Sequence, residues 1–436
     1  MSNVFTDRPM QRTTQTTRVF DGVLCFGGLD WWYHNRGHYD MQMMRELATH
    51  VPVVYVNSIG MRTPTAREGR MFFKRVVRKA KSISRGFVKV RDNFGVLSPF
   101  TPPGGSSSGL WRRILLHQVN SAMRRMNIRQ PLLWVACPPA AAYASAIDKV
   151  GMAYQRTDRM ETFPGVDENY IRQCDRALKR SADITFFVST HLFESERKQC
   201  QAAAFVDHGA DLDRFMEAGD HATDPADVAS IARPRVGFIG GIDRHTFDPE
   251  LFNAVVQRLD KMQFILVGGC SLSQDWCPNL GKNVHMLGRK PYEQVADYMA
   301  ACDVLIMPWN HSDWIAACNP VKLKEYLAVG RPIVSTPFPE LARFRGLVAA
   351  AQTPDAFAQA IEDAVSSPDI RLQQRKRVEG ESWQAKCGAV LHQLSALGLT
   401  PAGRGAAAPA VDDPWASAGD SVGSPVPGAV PGAPDA

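Results

Sequence analysis

Short apolar runs alternate with longer stretches of helical period along most of this 436-residue chain, and they do so in two successive series. That alternation restricts the fold to α/β architectures built on parallel sheets, because a strand buried on both faces needs a helical crossover before the next one. The first series opens with a buried-strand pattern at 19–26, ending in Gly27-Gly28. It continues through a helix at 38–49, a strand at 51–57, a helix at 110–126, extended segments at 132–136 and 152–155, a helix at 169–181, a strand at 184–189 and a helix at 190–199. A weaker pattern at 218–232 separates it from the second series: strand 235–239, helix 249–259, strand 264–267, helix 291–301, strand 304–307, then a helix and strand within 319–336. Helical segments at 355–365 and 370–397 follow, and after Pro401 the chain turns Ala/Gly/Pro-rich without apolar period. The predicted organisation is therefore a disordered 1–18, a Rossmann-like domain at 19–217, a linker at 218–232 and a second Rossmann-like domain at 233–370. Helices at 371–400 reach back to the first domain, and 401–436 is a disordered tail. A cleft between the two domains is the expected place for a ligand.

The length suits two domains. No stretch of eighteen uninterrupted apolar residues suggests a membrane span, and the polar first eighteen residues lack the apolar segment of an export signal, which points to the cytoplasm. Nine cysteines are scattered without a CxxC pair, as expected for reduced thiols rather than disulfides or a zinc site. Charge is distributed unevenly. Between Arg62 and Arg91 stand eleven Lys and Arg against Glu68 alone, a net of +10 in thirty residues, interleaved with Phe72, Phe73, Val76, Val77, Ile83 and Phe87. This pattern fits a basic amphipathic surface for anionic lipid. A solvated helix packed on the core by its apolar side, or a polyanion-binding stripe, has the same composition; of these partners the membrane is expected and nucleic acid is not.

The segment NPVKLKEYLAVGRPIVST, 319–336, combines a helix with candidate binding groups. Asn319 suits the N-cap and Pro320 the first turn, while Gly330 and Pro332 stop the helix. Leu323 and Leu327 mark its core side, and Lys322 and Glu325 share another face. A helix N-terminus with a lysine in its first turn suits an anion, and a glutamate one turn deeper suits a ribose diol. The same spacing also describes an ordinary exposed Lys–Glu pair.

Other candidates sit at strand ends, where open α/β sheets bind ligands. Gly240-Gly241 follow RVGFI, with Arg244 close behind as a possible phosphate partner, and Gly27-Gly28 form the equivalent loop of the first series. Asp158 leaves the strand containing AYQ and has the chemistry of a general base, although a turn cap or a partner for Arg156 or Arg159 fits equally. Asp211-Leu212-Asp213 has a DxD shape but lies before the linker, as a cap or hinge. No GxSxG, Walker A or HExxH motif competes.

Taken in order, AYQRTD, RALKRSADITFFVSTHLFESER, DHGADLDRF, RVGFIGGIDRHTFDPELF, FILVGG, VHMLGRKPYEQVADYMAACDVLIMPW and NPVKLKEYLAVGRPIVST resemble the GT-B glycosyltransferases over about 19–397. Within that superfamily the chain is similar to the membrane-associated glucuronosyltransferases of xanthan assembly and to the family 4 enzymes. The resemblance implies two Rossmann-like domains facing across a cleft and transfer from a nucleotide sugar to a lipid-linked or glycan acceptor. Asp158 matches the catalytic base, Lys322 a donor-phosphate ligand, and Glu325 the ribose-binding acid. Trp309 lies near a position lining the nucleotide pocket, and Gly240 and Gly241 admit a diphosphate held without a divalent metal or other cofactor. Trp383 is similar to a tryptophan opening the terminal helix. Two departures stand out: Arg159 replaces a second carboxylate beside Asp158, and Ala317 replaces a glutamate eight residues before Glu325. The first leaves the role of that second acid open, and the second favours an inverting enzyme with Asp158 as base, expected at the cytoplasmic face of the membrane.

Overall fold

The central strands are apolar on both faces. VVYV, PLLWV and GMAYQR are buried at every position, as in parallel sheets covered by helices on both sides. The computed structural model describes residues 17–33, 38–61, 70–101, 109–163, 165–272 and 281–403. The expected disordered termini lie outside these apart from 17–18 and 401–403, as do 62–69 of the basic segment. The chain divides into two compact units: residues up to Asp207 together with 383–403 form the first, and His208–Ser382 the second.

In the first unit the strands are β1 Arg18–Phe20, β2 Gly22–Phe26, β3 Val53–Val56, β4 Phe87–Arg91, β5 Phe94–Leu97, β6 Pro131–Val135, β7 Gly151–Arg156, β8 Ile184–Phe187 and β9 Ala203–Phe205. Eight of them form one sheet in the order β4-β5-β3-β2-β6-β7-β8-β9, parallel except for the β4–β5 hairpin. The chain therefore reverses direction across the sheet between β2 and β6, and the loop holding Gly27-Gly28 leaves β2 at that switch point. In the second unit β10 Arg235–Ile239, β11 Gln263–Val267, β12 Val284–Gly288, β13 Val304–Met307, β14 Ile333–Ser335 and β15 Ala349–Ala350 form an all-parallel sheet. Its order, β12-β11-β10-β13-β14-β15, puts the switch point between β10 and β13.

Several boundaries differ from the sequence pattern, each for a packing reason. The helix Leu212–Asp220 packs on the helix Val321–Val329, so the second unit begins at His208, ahead of the 218–232 segment. The predicted helical stretch 370–397 is two helices, Arg371–Val378 in the second unit and Trp383–Ala396 in the first. Gly380, at φ 78°, stands between them in a conformation that favours glycine. Trp383 meets Tyr39 edge-on at 5.5 Å, and Lys386 pairs with the buried Asp207 at 2.5 Å, which fixes the terminal helix in the first unit's core. Beyond that helix β16, Leu399–Pro401, pairs in parallel with β1, so structure extends to the first residue of the expected tail. The basic segment is not one surface either: it is a helix at Arg70–Ser84 and then the edge strand β4. Among the described residues no helix is long and apolar enough to cross a membrane. Eight cysteines are described, all free, five of them buried.

Candidate functional site

In the second unit the loop after β10 meets the first turn of the helix Val321–Val329. Gly240 follows β10 directly, and a methyl group on it would sit 3.1 Å from Lys322 Cε and 3.4 Å from Nζ, so the lysine ammonium lies over this glycine. Gly268, at the end of β11, faces the same loop: a Cβ there would fall 1.7 Å from the Gly240 carbonyl oxygen, an approach only glycine permits. The helix itself begins one residue later than its sequence suggests. Pro320 occupies the N-cap and Val321 the first turn, so Asn319, 7% exposed, precedes the cap. Gly330 closes the helix in the left-handed conformation, φ 78°.

Leu323 and Leu327 are buried in the core, as their spacing predicts. The Lys–Glu face is not an ordinary solvated one, since Glu325 is only 6% exposed and Lys322 is half-buried. Burial lowers the lysine ammonium from its ordinary value while the Glu325 carboxylate pushes it back up. Burial likewise raises Glu325, opposed by Lys322 and by the Tyr292 hydroxyl, which donates to Glu325 Oε1 at 3.5 Å. Tyr292 in turn lies under the Arg214 guanidinium, 5.5 Å from its ring centroid, and Arg214 pairs with Asp211 at 3.1 Å. Nothing local in the sequence singles out Tyr292, because a tyrosine opening a helix is commonplace; only the fold brings it to Glu325.

Two other candidates occupy less direct places. Arg244 is largely exposed, 4.0 Å from Glu250, while its carbonyl accepts from Asn310 Nδ2 at 2.8 Å. Trp309 is 6% exposed and tilted against Phe338 at 5.2 Å, with its backbone N–H donated to Thr336 Oγ1. It sits just past β13 as a buried wall behind the loop of 243–247, to which Phe247 bridges it. Gly241 has Asp243 nearby, whose carboxylate accepts from the His245 and Thr246 amides and shapes the loop.

In the first unit Asp158 stands two residues beyond β7, half-buried. Neither neighbouring arginine pairs with it. Arg156, wholly buried, forks onto Glu161 at 2.9 and 3.0 Å and onto Glu196 at 3.1 and 3.2 Å, and it lies 3.4 Å from Asp175. Lys179 joins them at 2.7 Å from Asp175 and 2.5 Å from Glu196, and the Tyr154 hydroxyl donates to Asp175. This cluster ties β7 to the turn Met160–Thr162 and to the helices Glu168–Ser181 and Thr190–Glu196. It fixes the loop that carries Asp158. Glu161 lies close to Arg156 in sequence and was a discoverable partner; Glu196, forty residues away, was not. Arg159 contacts His191 instead, Nη2 to Nε2 at 3.1 Å. Burial pushes the Asp158 carboxyl above its usual range, offset by the Arg156 field and a hydrogen bond from Thr157.

Gly27 and Gly28 end β2, separated from β7 by β6 in the sheet. A Cβ on Gly27 would collide with the Tyr55 ring at 2.1 Å, and the Gly28 amide and Tyr55 hydroxyl both donate to Asp40 Oδ2 at 2.8 Å. The loop is built from buried partners. Asp211 stands at the N-cap of the helix Leu212–Asp220 and Asp213 in its first turn, although the Asp211 side chain makes no capping hydrogen bond. Among the described residues no group of three or more His, Cys, Asp or Glu stands within reach of a shared metal ion.

Residues 233–367 match the family model described as Glycosyl transferases group 1. A D-inositol 3-phosphate glycosyltransferase of Corynebacterium jeikeium (strain K411) is 28% identical over 273 residues, which cover 55% of this chain and 63% of that protein. The chain thus matches less than two thirds of this relative's length. Sucrose-phosphate synthase from Thermosynechococcus elongatus superposes with a TM-score of 0.61 at 16% identity, covering 86% of this chain and 99% of the other. The Anabaena protein HepE in complex with UDP and glucose gives 0.57 at 13% identity, covering 86% and 100%.

Proposed function

We propose that this chain, which has the GT-B fold and whose residues 233–367 form a domain of the glycosyl transferases group 1 family, transfers a sugar from a nucleotide diphosphate sugar to an acceptor hydroxyl. One observation carries the reading: the Lys322 ammonium lies over Gly240 at the end of β10, at the mouth of a helix whose first amides are unpaired within it. A diphosphate there meets a full positive charge, the helix dipole and a backbone with no side chain in the way. Glu325, held by Tyr292 one turn deeper, accepts from the ribose hydroxyls. Arg244, on the rim, meets the outer phosphate, while Gly241, Trp309 and Asn319 shape the loops around it. No metal is assigned to the diphosphate. UDP is the favoured carrier, supported by the relative that holds UDP and glucose.

Asp158 takes the proton from the attacking hydroxyl, and Gly27-Gly28 border the acceptor. The raised carboxyl of Asp158 suits a base that must accept a proton near neutral pH. One carboxylate acting as base, with no second acid beside it, favours inversion at the anomeric carbon. The acceptor is lipid-linked or a glycan, in the assembly of a surface polysaccharide or glycolipid at the cytoplasmic face of the membrane. Support for the membrane comes from the helix Arg70–Ser84. Lys79 and Ser82 fasten its inner edge to Ser58 and Asp30, while Val76 and Val77 are 44% and 52% exposed beside the exposed Arg78 and Lys81. Calorimetric titration with UDP tests the donor site. Lys322→Ala and Glu325→Ala should each weaken UDP by about tenfold or more, since a charged hydrogen bond is worth roughly 1.5–3 kcal/mol. Wild-type affinity in both variants would remove UDP from this site.

A further inference from the structure

The two arginines that flank Thr157-Asp158 have opposite surroundings. Arg156 is surrounded by three carboxylates, and its charge is fully compensated. Arg159 is half-buried, and its one side-chain partner among the described residues is the ring of His191. Arginine can only donate, so His191 Nε2 accepts from it and the imidazole carries its proton on Nδ1. An imidazole thus stands where a carboxylate is the usual partner of a guanidinium. Among the described residues Arg159 makes no ion pair with Asp158, and its guanidinium contacts His191. Its fork is therefore directed elsewhere than at the candidate base.

The fold explains why these groups meet. β7 and β8 are adjacent and parallel, with Arg156 opposite Phe187, so the loops leaving their carboxyl ends run side by side. One carries Asp158 and Arg159, and the other leads through Ser189, at the N-cap, into the helix Thr190–Glu196, whose first turn holds His191. Ser189 is wholly buried, and its hydroxyl has no hydrogen-bond partner among the described residues. A half-buried guanidinium with no carboxylate partner among the described residues, an imidazole with an N–H to give and a buried hydroxyl without a partner among the described residues lie on the two connections that leave β7 and β8, one of which carries Asp158.

We propose that Arg159 and His191, with Ser189 behind them, form a subsite for a phosphate group carried by the acceptor. The subsite rests on the reading of Asp158 as the base that receives that acceptor. A phosphate oxygen pair matches the arginine fork, and the imidazole N–H supplies a further donor to the same tetrahedral group. A phosphate here would be close to the hydroxyl that Asp158 activates, which selects acceptors whose phosphate and reacting sugar are near neighbours. Both a lipid diphosphate sugar and a soluble sugar phosphate meet that description.

The test is direct binding with the full chain, its donor site first saturated with UDP so that the second unit does not compete. Inorganic pyrophosphate is titrated calorimetrically into wild type, Arg159→Gln and His191→Gln, with melting temperatures confirming that each variant is folded. Wild type should bind, Arg159→Gln should lose about tenfold or more, and Arg159→Lys should recover part of the loss, because a point charge replaces a fork. Equal pyrophosphate affinity in wild type and both glutamine variants would overturn the subsite, as would absent binding in a wild type that still takes up UDP. Loss of UDP binding alone would instead sink the donor-site reading, so the two failures are distinguishable. The sources are separated by two further arms, a long-chain isoprenyl diphosphate in neutral vesicles and a soluble hexose phosphate. Capture that depends on Arg159 in the first arm alone identifies a lipid acceptor, and in the second alone a soluble one. Capture independent of Arg159 in both arms rejects the proposal.

Discussion

Asp158 is the residue on which the proposed chemistry turns, and its surroundings set the conditions under which it acts. A base works in its ionised form, so transfer should rise with pH as the carboxyl titrates. Burial raises that carboxyl, and Arg156 pulls it back. The acid limb of kcat/KM is accordingly expected above the ordinary aspartate value of about 3.9. Asp158→Asn, with the same shape but no basicity, should lower kcat by roughly 10²–10⁴-fold, the usual worth of a general base, while leaving UDP affinity close to wild type. Full turnover in the asparagine variant would take Asp158 out of the mechanism. Local sequence left three roles open for this residue, because Arg156 and Arg159 flank it. The guanidinium groups go to Glu161, Glu196 and His191, two of which lie far away in the chain, and this sets aside only the arginine-partner role.

The Arg156 cluster shows how a buried charge holds elements together at considerable risk. Two cations, Arg156 and Lys179, face three carboxylates, Glu161, Asp175 and Glu196, in a nearly water-free interior. Removing the arginine leaves Lys179 alone against three acids and strips Glu161 of its cation, so Arg156→Met should destabilise the first unit by about 3–5 kcal/mol. The pH dependence gives the sign. Burial alone would raise Glu161 and Glu196, but Arg156, joined at Glu196 by Lys179, overcomes it and holds both below their ordinary range. Their contribution to wild-type stability is therefore present above the unfolded glutamate value and lost as pH falls through the folded one. In Arg156→Met that dependence should reverse: mild acid protonates the stranded carboxylates and restores part of the melting temperature. Chemical denaturation at neutral and mildly acid pH measures both, and a variant that acid destabilises as it does wild type would contradict the assignment. The elements so joined were mostly legible, since β7, β8 and the helix Glu168–Ser181 carry clear apolar periods. The hairpin β4–β5 and the break at Gly380 were not. In the first, a strand's alternating residues were concealed within a basic run; in the second, helix-forming residues on both sides obscured a turn that tertiary packing requires.

At the scale of the molecule, two successive αβ series implied two sheets, and the two large sheets are parallel apart from the β4–β5 hairpin, each with a switch point in its strand order. The return of the terminal helix to the first unit was legible through Trp383, whereas the exact crossing, after Ser382, depended on contacts that no local pattern encodes. Charge is the other whole-molecule property, and it is concentrated: a net of +10 falls within Arg62–Arg91, against +6 for the entire chain. The rest of the sequence thus carries a net charge of 6 − 10 = −4, so the basic segment, and the helix Arg70–Ser84 within it, is where attraction to an anionic surface is concentrated. Val76 and Val77 add apolar contact on the helix that carries this charge. Each basic residue close to an anionic bilayer contributes about 1 kcal/mol, and salt screens that attraction over a Debye length of about 10 Å at 0.1 M. The chain should co-sediment with vesicles rich in anionic lipid at low salt, dissociate as salt is raised, and remain in solution with neutral vesicles. Replacing Val76 and Val77 together by Asp should weaken the association by removing the apolar contact and part of the charge, without altering UDP affinity, since both lie in the first unit. Equal sedimentation with neutral and anionic vesicles, unaffected by salt, would mean that this face serves the core or another polyanion, and the membrane would drop out of the proposed function.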